Sequence, residues 1–213
     1  FLICAVKRGE ETYIPDGNFV LRAGDRIGLM AAPNELQKLL KMLGLMQKQA
    51  RNVMILGASK TAYYLSKMLL SGGCTVKLIE LDRDKCLEYS DTLPGVVMIC
   101  GDGAQQELLL EEGLRSADAF VTLTGMDEEN ILISCYAASQ GVPKVITKVN
   151  RDELISMASK LGLDCMISPK KIVSDILVRY ARALNNSIGS KMETMYKIMD
   201  GSAEALEFIV GED

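Results

Sequence analysis

The hydrophobic pattern splits this chain into two short flanks around a long alternation. Between Asn52 and Ile167, short continuous apolar runs appear at Val53–Leu56, Thr75–Glu80, Val96–Cys100, Ala119–Leu123 and Val145–Val149, with a briefer one at Asp164–Ile167. Runs of this length predict strands covered on both faces. Between them, apolar residues recur at intervals of three and four, which predicts helices near 59–71, 83–91, 104–112, 127–140 and 151–160. Strand and helix in steady alternation predict an α/β fold: a Rossmann-like, doubly wound parallel sheet over residues 51–168, joined by right-handed crossovers.

The flanks read differently. In residues 1–44, a β-like run over Phe1–Val6 is followed by turns at Gly9-Glu10-Glu11 and Tyr13–Asn18, where Pro15 presets φ and Gly17 permits a positive one. Gly24-Asp25 precedes a strand over Arg26–Ala31. Pro33-Asn34 then opens an amphipathic helix with Leu36, Leu39, Leu40 and Leu43 on one face, closed by Gly44. Leu45–Arg51 is a polar linker. After Pro169 a longer helix runs to about Asn185 with an apolar stripe (Ile172, Val173, Ile176, Leu177, Tyr180 and Leu184) that must pack on something. Residues 185–190 break it, and Glu207–Val210 reads as the first strand of another small unit within 190–213. Two partial small α+β lobes thus flank the central domain. The chain opens at Phe1 inside a strand pattern and stops at Asp213 just after another, which reads as a piece of a longer chain.

Composition narrows the function classes. An apolar fraction of 48% supports a sizeable core, and a net charge of −4 argues against nucleic acid as a partner, because phosphate backbones need a basic surface. No apolar run approaches the roughly 18 residues of a membrane span. The six cysteines form no Cys-x-x-Cys pair and read as reduced thiols in a cytosolic protein. The absence of histidine removes the commonest general base, the Ser-His-Asp and Cys-His arrangements, and imidazole metal sites. Neither catalytic nor metal-binding residues are predicted.

The candidate chemistry sits where strands end. Val53–Leu56 runs into Gly57-Ala58-Ser59-Lys60-Thr61 and then a helix, the start of a nucleotide-binding βαβ unit whose helix end offers N–H groups and a positive dipole to phosphate. Gly57, Ser59 and Ala62 stand at the three glycine positions of the dinucleotide fingerprint. Glu80 lies 23 residues after Gly57, where an acid can accept hydrogen bonds from ribose hydroxyls and repels a 2′-phosphate, favouring NAD(H) or adenosine phosphates over NADP. Gly101-Asp102-Gly103 ends the third strand, Leu123-Thr124 the fourth, and Lys148 the fifth. Each has a plainer reading alone: turn glycine, helix cap, strand-end carboxylate or solvated lysine. Jointly they favour a nucleotide site.

These motifs resemble the nucleotide-binding lobe of RCK domains, the regulators of potassium conductance, and among them the TrkA-type regulators of potassium uptake. The resemblance rests on Val53–Gly57, Val76–Asp82, Ile99–Gly103, Asp118–Thr124 and Asp127–Asn130, and on Ala5–Gly9, Ile14–Gly17 and Ala23–Arg26 in the first flank. It implies a partial C-lobe at 1–44, a nucleotide lobe at 51–168, a linking and dimerisation helix at 169–185 and a second C-lobe beginning in 190–213. It further implies a non-enzymatic, cytoplasmic regulatory subunit, peripheral on the inner face of the plasma membrane. Such a subunit would form dimers within a ring, bind NAD(H) or ATP/ADP, and gate a Trk-type potassium-translocating membrane partner. Under it, Gly57–Thr61 take phosphates, Glu80 the ribose, Asp102-Gly103 the adenine side, and Leu123, Thr124 and Lys148 the remaining wall. Two other readings stay open: an NAD-dependent oxidoreductase, and a nucleotide-free scaffold in which Ser59 marks a lost site.

Overall fold

The structure, a computed structural model, describes residues 1–45, 49–186, 192–199 and 202–208. By proximity the chain forms two compact units, one over residues 49–173 and one that gathers 1–48 with 174–213.

In the first unit, the strands β4 (Asn52–Leu56), β5 (Thr75–Glu80), β6 (Val96–Cys100), β7 (Ala119–Thr122), β8 (Lys144–Lys148) and β9 (Met166–Ile167) form a sheet in the order β6-β5-β4-β7-β8-β9. Each neighbouring pair is parallel, with Val53 beside both Val76 and Ala119. The connecting helices are α2 (Lys60–Ser71), α3 (Arg83–Thr92), α4 (Gln106–Glu111), α5 (Asp127–Ser139) and α6 (Asp152–Lys160). Successive side chains of a strand point to opposite faces, and both faces are covered. Val53, Ile55, Val76, Leu78 and Val121 pack with Ala62 of α2 and Tyr89 of α3. Met54, Leu56, Ile79 and Phe120 pack with Leu109 of α4 and with Ile133 and Ala137 of α5. That two-sided burial is why the strands read as unbroken apolar runs. Each large side chain so buried contributes about 1.5–3 kcal/mol, and the four buried in a row from Val53 to Leu56 make β4 a rigid base for the loop that follows it.

In the second unit, β1 (Leu2–Arg8) is the middle strand of an antiparallel sheet, between β2 (Glu11–Tyr13) and β3 (Arg26–Met30), followed by α1 (Pro33–Met42). The sequence pattern did not announce β2, because three polar-rich residues after a turn carry no periodicity of their own. An ion pair closes the 9–25 excursion: Arg8 Nε and a terminal guanidinium nitrogen reach the two Asp25 oxygens at 2.8 and 2.7 Å, while the guanidinium lies over the Phe19 and Tyr13 rings. The remaining strands of this unit, β10 (Met192–Ile198) and β11 (Ala203–Phe208), pair as a hairpin. The strand expected at Glu207–Val210 as the first of its unit is therefore the end of a second strand, so far as the described residues go. The hairpin touches the N-terminal flank: a Cβ on Gly28 of β3 would meet Met199 Cε at 3.1 Å. The break expected over 185–190 does not begin at 185, because α7 runs to Asn186, and its remainder over 187–190 lies outside the described residues.

The helix α7 (Pro169–Asn186) has the length the stripe predicts, and Ile172, Val173, Ile176, Leu177 and Tyr180 are exposed on it. Among the described residues, no helix is long and apolar enough to cross a membrane.

Candidate functional site

The strand order reverses between β4 and β7, and in open α/β sheets the crevice outside the carboxyl ends at that point receives ligands. The two strand ends are drawn tightly together there. Leu123 N donates to Leu56 O at 2.7 Å, and Gly57 N donates to Ile79 O at 2.8 Å. Gly57 has φ of +95°, and a Cβ there would stand 2.8 Å from Thr124 N. Both the left-handed backbone and the close approach exclude a side chain. A cleft of about 380 Å³ opens over this junction, within the usual range for small-molecule sites. Gly57, Ala58, Ser59, Glu80, Asp102, Gly103, Leu123, Thr124 and Lys148 all line it. Lys60 and Thr61 do not; they form the first turn of α2 behind the loop.

The loop's amides are partly engaged by the protein itself. Glu80 Oε2 accepts from Ala58 N at 2.7 Å, and Oε1 accepts from Asp82 N at 3.0 Å. An ionised carboxylate has roughly four lone-pair sites, so two remain for a ligand hydroxyl. Ser59 N donates to Gly57 O at 3.0 Å. The Ser59 side chain accepts from Ala62 N at 3.3 Å and caps α2, with extended backbone angles that do not require glycine. Its hydroxyl proton is still free to be donated. The N–H groups of Lys60 and Thr61 are the first two of the helix, and helix geometry gives them no internal acceptor. The backbone of these two residues, more than their side chains, is what the loop can offer an anion.

On the other side, Asp102 Oδ1 accepts from Ala104 N at 2.9 Å and holds the turn before α4. That turn delays α4 to Gln106, two residues past the expected start. Gly103 is packed so closely that a Cβ would lie 2.1 Å from Leu56 Cδ1. Lys148 Nζ donates to Thr124 O at 2.9 Å, bringing its ammonium to the cleft wall. Thr124 accepts from Met126 N at 3.2 Å through its hydroxyl, which donates in turn to Asn130 Oδ1 at 2.8 Å.

Asn130, fully buried in the first turn of α5, organises this wall. Its Oδ1 also accepts from Thr124 N at 3.1 Å, and its Nδ2 donates to Thr124 O at 3.3 Å and to Lys148 O at 3.0 Å. Asp127, the first residue of the same turn and also buried, accepts from Asn150 N and Arg151 N, both at 2.9 Å, which fixes the chain leaving β8. Arg151 also binds Glu128, whose carboxyl is held below the usual range by that guanidinium. Lys85 of α3 and Glu129 of α5 line the cleft as well, and sequence reasoning had not singled them out. Lys85 could have been found from its place five residues after Glu80. Nothing local points to Glu129 or to the part Asn130 plays.

Acids and ammonium groups share the lining of the cleft: Glu80, Asp102 and Glu129 with Lys85 and Lys148. An anionic group is favoured only at the α2 end and beside the lysines, and hydroxyl or amine donors are favoured by the carboxylates.

The fold and the cleft at its switch point define a doubly wound α/β lobe of the Rossmann class. The chain belongs to the TrkA-N domain family, which matches residues 53–169, and residues 1–44 match the TrkA-C domain. It is 31% identical over 202 residues to the Trk system potassium uptake protein TrkA homolog of Archaeoglobus fulgidus, covering 95% of this chain and 44% of that protein. The chain thus spans less than half the length of that relative. Among solved structures, the GsuK RCK domain is similar with a TM-score of 0.62 at 17% identity, covering 92% of this chain and 42% of that one. The GsuK channel bound to NAD is similar with a TM-score of 0.55 at 15% identity, covering 78% and 30%. At those identities the likeness is one of fold.

Proposed function

We infer that this chain is a nucleotide-sensing part of a Trk-type potassium uptake regulator, not an enzyme. The observation that carries this reading is the cleft at the β4/β7 switch point, where a glycine-only turn, a helix N-terminus and Glu80 converge. Relatives are potassium uptake proteins, and a protein of like fold binds NAD. NAD(H) fits the residues present, with ATP or ADP as the other candidates. The Lys60 and Thr61 amides and the Ser59 hydroxyl face the phosphates in this reading. Glu80 takes ribose hydroxyls on its two remaining lone-pair sites, Asp102-Gly103 flank the adenine, and Leu123, Thr124 and Lys148 close the far wall.

The domain plan follows: a C-lobe portion at 1–44, the nucleotide lobe at 51–168, α7 as a linking and dimerisation helix, and a second C-lobe starting in 190–213. The exposed apolar stripe of α7 supports association with a second copy within a ring. The ring sits on the cytoplasmic face of the membrane through a potassium-translocating partner. Nucleotide binds one ring conformation better than another, and that difference biases the partner's gate.

One observation favours a second reading, a nucleotide-free scaffold: Glu80 already occupies the Ala58 amide. Thermal unfolding with NADH, NAD, ATP and ADP separates the two, for the wild type and Glu80→Ala. A ligand at about 100 times its Kd adds about 2.7 kcal/mol of stability, and Glu80→Ala reduces that gain. No shift with any of the four nucleotides would overturn the sensing reading and leave the scaffold. Turnover of NADH with a carbonyl substrate would overturn both.

A further inference from the structure

Beside the cleft, two cysteines from different elements lie next to Glu80, one bonded to its carbonyl and one beside it in the sheet. Cys86 of α3 is buried, and its Sγ donates to Glu80 O at 3.3 Å. That oxygen also accepts from Gly101 N at 2.9 Å. Cys100, at the end of β6, is the register partner of Glu80 in the parallel pair. Val96 and Met98 of β6 pack into the core that Tyr89 of α3 and Leu93 just after it help to form. Side chains alternate along a strand, so Cys100 emerges on that same α3 face, over Cys86. Both thiols are free, Cys86 covered and Cys100 exposed. The Cys86 thiol is pushed up to about 12, first by burial and then by its interaction with the Cys100 thiol. It therefore stays protonated and keeps its donor on Glu80 O at neutral pH.

We propose that Cys86 and Cys100 are a reversible dithiol site, oxidised to a disulfide by a low-molecular-weight disulfide, and that the bond weakens ligand binding in the cleft. Exchange starts at the exposed sulfur. The Cys100 thiolate attacks the small disulfide RSSR, forming a Cys100–S–SR bond and releasing RS⁻, which takes up the proton Cys100 has lost. The Cys86 sulfur then attacks Cys100 Sγ and passes its proton to the second RS⁻ as that group is expelled. Two protein thiols lose two electrons and two protons, and RSSR becomes two RSH. The bond removes the S–H donor from Glu80 O and ties the start of the Gly101-Asp102-Gly103 turn to α3. Glu80 and that turn both line the cleft.

The effect on binding rests on the nucleotide reading above, whereas the disulfide does not. The test treats the full chain with oxidised glutathione and maps peptides by mass spectrometry, then titrates NADH into the reduced and oxidised forms. The expected result is a Cys86–Cys100 cross-linked peptide, lost on adding dithiothreitol and absent in Cys100→Ser, with Cys86→Ala stopping as a glutathione adduct on Cys100. NADH binding should weaken about tenfold in the oxidised form, a difference of about 1.4 kcal/mol. Glutathione carried on Cys100 without a cross-link overturns the proposal, as does oxidation that leaves NADH affinity unchanged. A cross-link in a protein whose reduced form binds no nucleotide upholds the dithiol site and overturns the nucleotide reading instead.

Discussion

Replacing Asn130 with aspartate tests the far wall of the cleft at the cost of a single atom. The buried amide makes four hydrogen bonds, two accepted by Oδ1 from Thr124 and two donated by Nδ2 to Thr124 O and Lys148 O. Asn130→Asp keeps the accepting oxygen and turns the donor into a second acceptor facing two carbonyls. Two hydrogen bonds to carbonyls are lost, and an unpaired carboxylate is left where no side-chain surface reaches solvent. Thr124 O retains Lys148 Nζ at 2.9 Å, so it is not orphaned. An uncompensated buried charge costs about 3–5 kcal/mol, and the nearby Lys148 ammonium places the expected loss near the lower end, about 3 kcal/mol.

Urea unfolding of the full chain followed by circular dichroism reads this loss, first at pH 7 and then at pH 5. The introduced carboxyl binds its proton more tightly in the folded state than in the unfolded one. Its penalty is therefore present above the folded-state pKa and fades as pH falls toward the unfolded value near 4. Protonated, it can donate to a carbonyl as the amide did. The Asn130→Asp deficit should shrink on acidification while that of Asn130→Ala should not. A variant within about 0.5 kcal/mol of wild type at pH 7, the range of neutral surface changes, would refute the reasoning.

Two further outcomes follow from the site and from the second unit. Ser59→Ala should lose about 1 kcal/mol through the missing cap on α2, whereas Ser59→Gly loses only a few tenths; thermal melts check this, and equal melting temperatures for Ser59→Ala and wild type would show the cap to be idle. Asp25 is covered and bound by Arg8, which holds its carboxyl down to about 2, with the Arg22 amide as the next cause. A depressed folded-state pKa means stability that is complete above the unfolded value near 4 and lost as pH falls through about 2. Asp25→Asn should flatten the acid limb of a stability–pH profile between those values, and an unchanged limb would contradict the pairing.

Much of the fold was legible because burial on both faces of a parallel sheet leaves continuous apolar runs. Val53–Leu56 announces β4 for the same reason that Met54 and Ile55 are buried on opposite sides of it. The loop chemistry at Gly57, Glu80 and Asp102 was legible because strand ends are local features with fixed spacing. What stayed hidden depends on tertiary neighbours. Asn130 lies in a visible Asp127-Glu128-Glu129-Asn130 run, but its role exists only because the ends of β7 and β8 close around it. Arg8 and Asp25 read as ordinary charges until the 9–25 excursion folds back. The strand β10 was missed because Met192-Glu193-Thr194-Met195-Tyr196 does not alternate cleanly, and only the pairing with β11 defines it.

Glu80 ties these threads together, because it serves two structures at once. Its oxygens hold the amides of Ala58 and Asp82, and so brace the glycine turn against the start of α3. Its main-chain oxygen receives Gly101 N and the Cys86 thiol, and so braces the third strand as well. A carboxylate can accept from two amides and still receive two hydroxyls, whereas a carboxamide has only one accepting oxygen. The acid at this position is therefore required by the unliganded loop as much as by any ribose. A ligand that bonds Glu80 without displacing Ala58 meets a loop already set in shape, and so loses little free energy to ordering it. One that must displace Ala58 also changes the turn, the α3 start and the end of β6. The second kind of binding is the one that can be transmitted beyond the cleft.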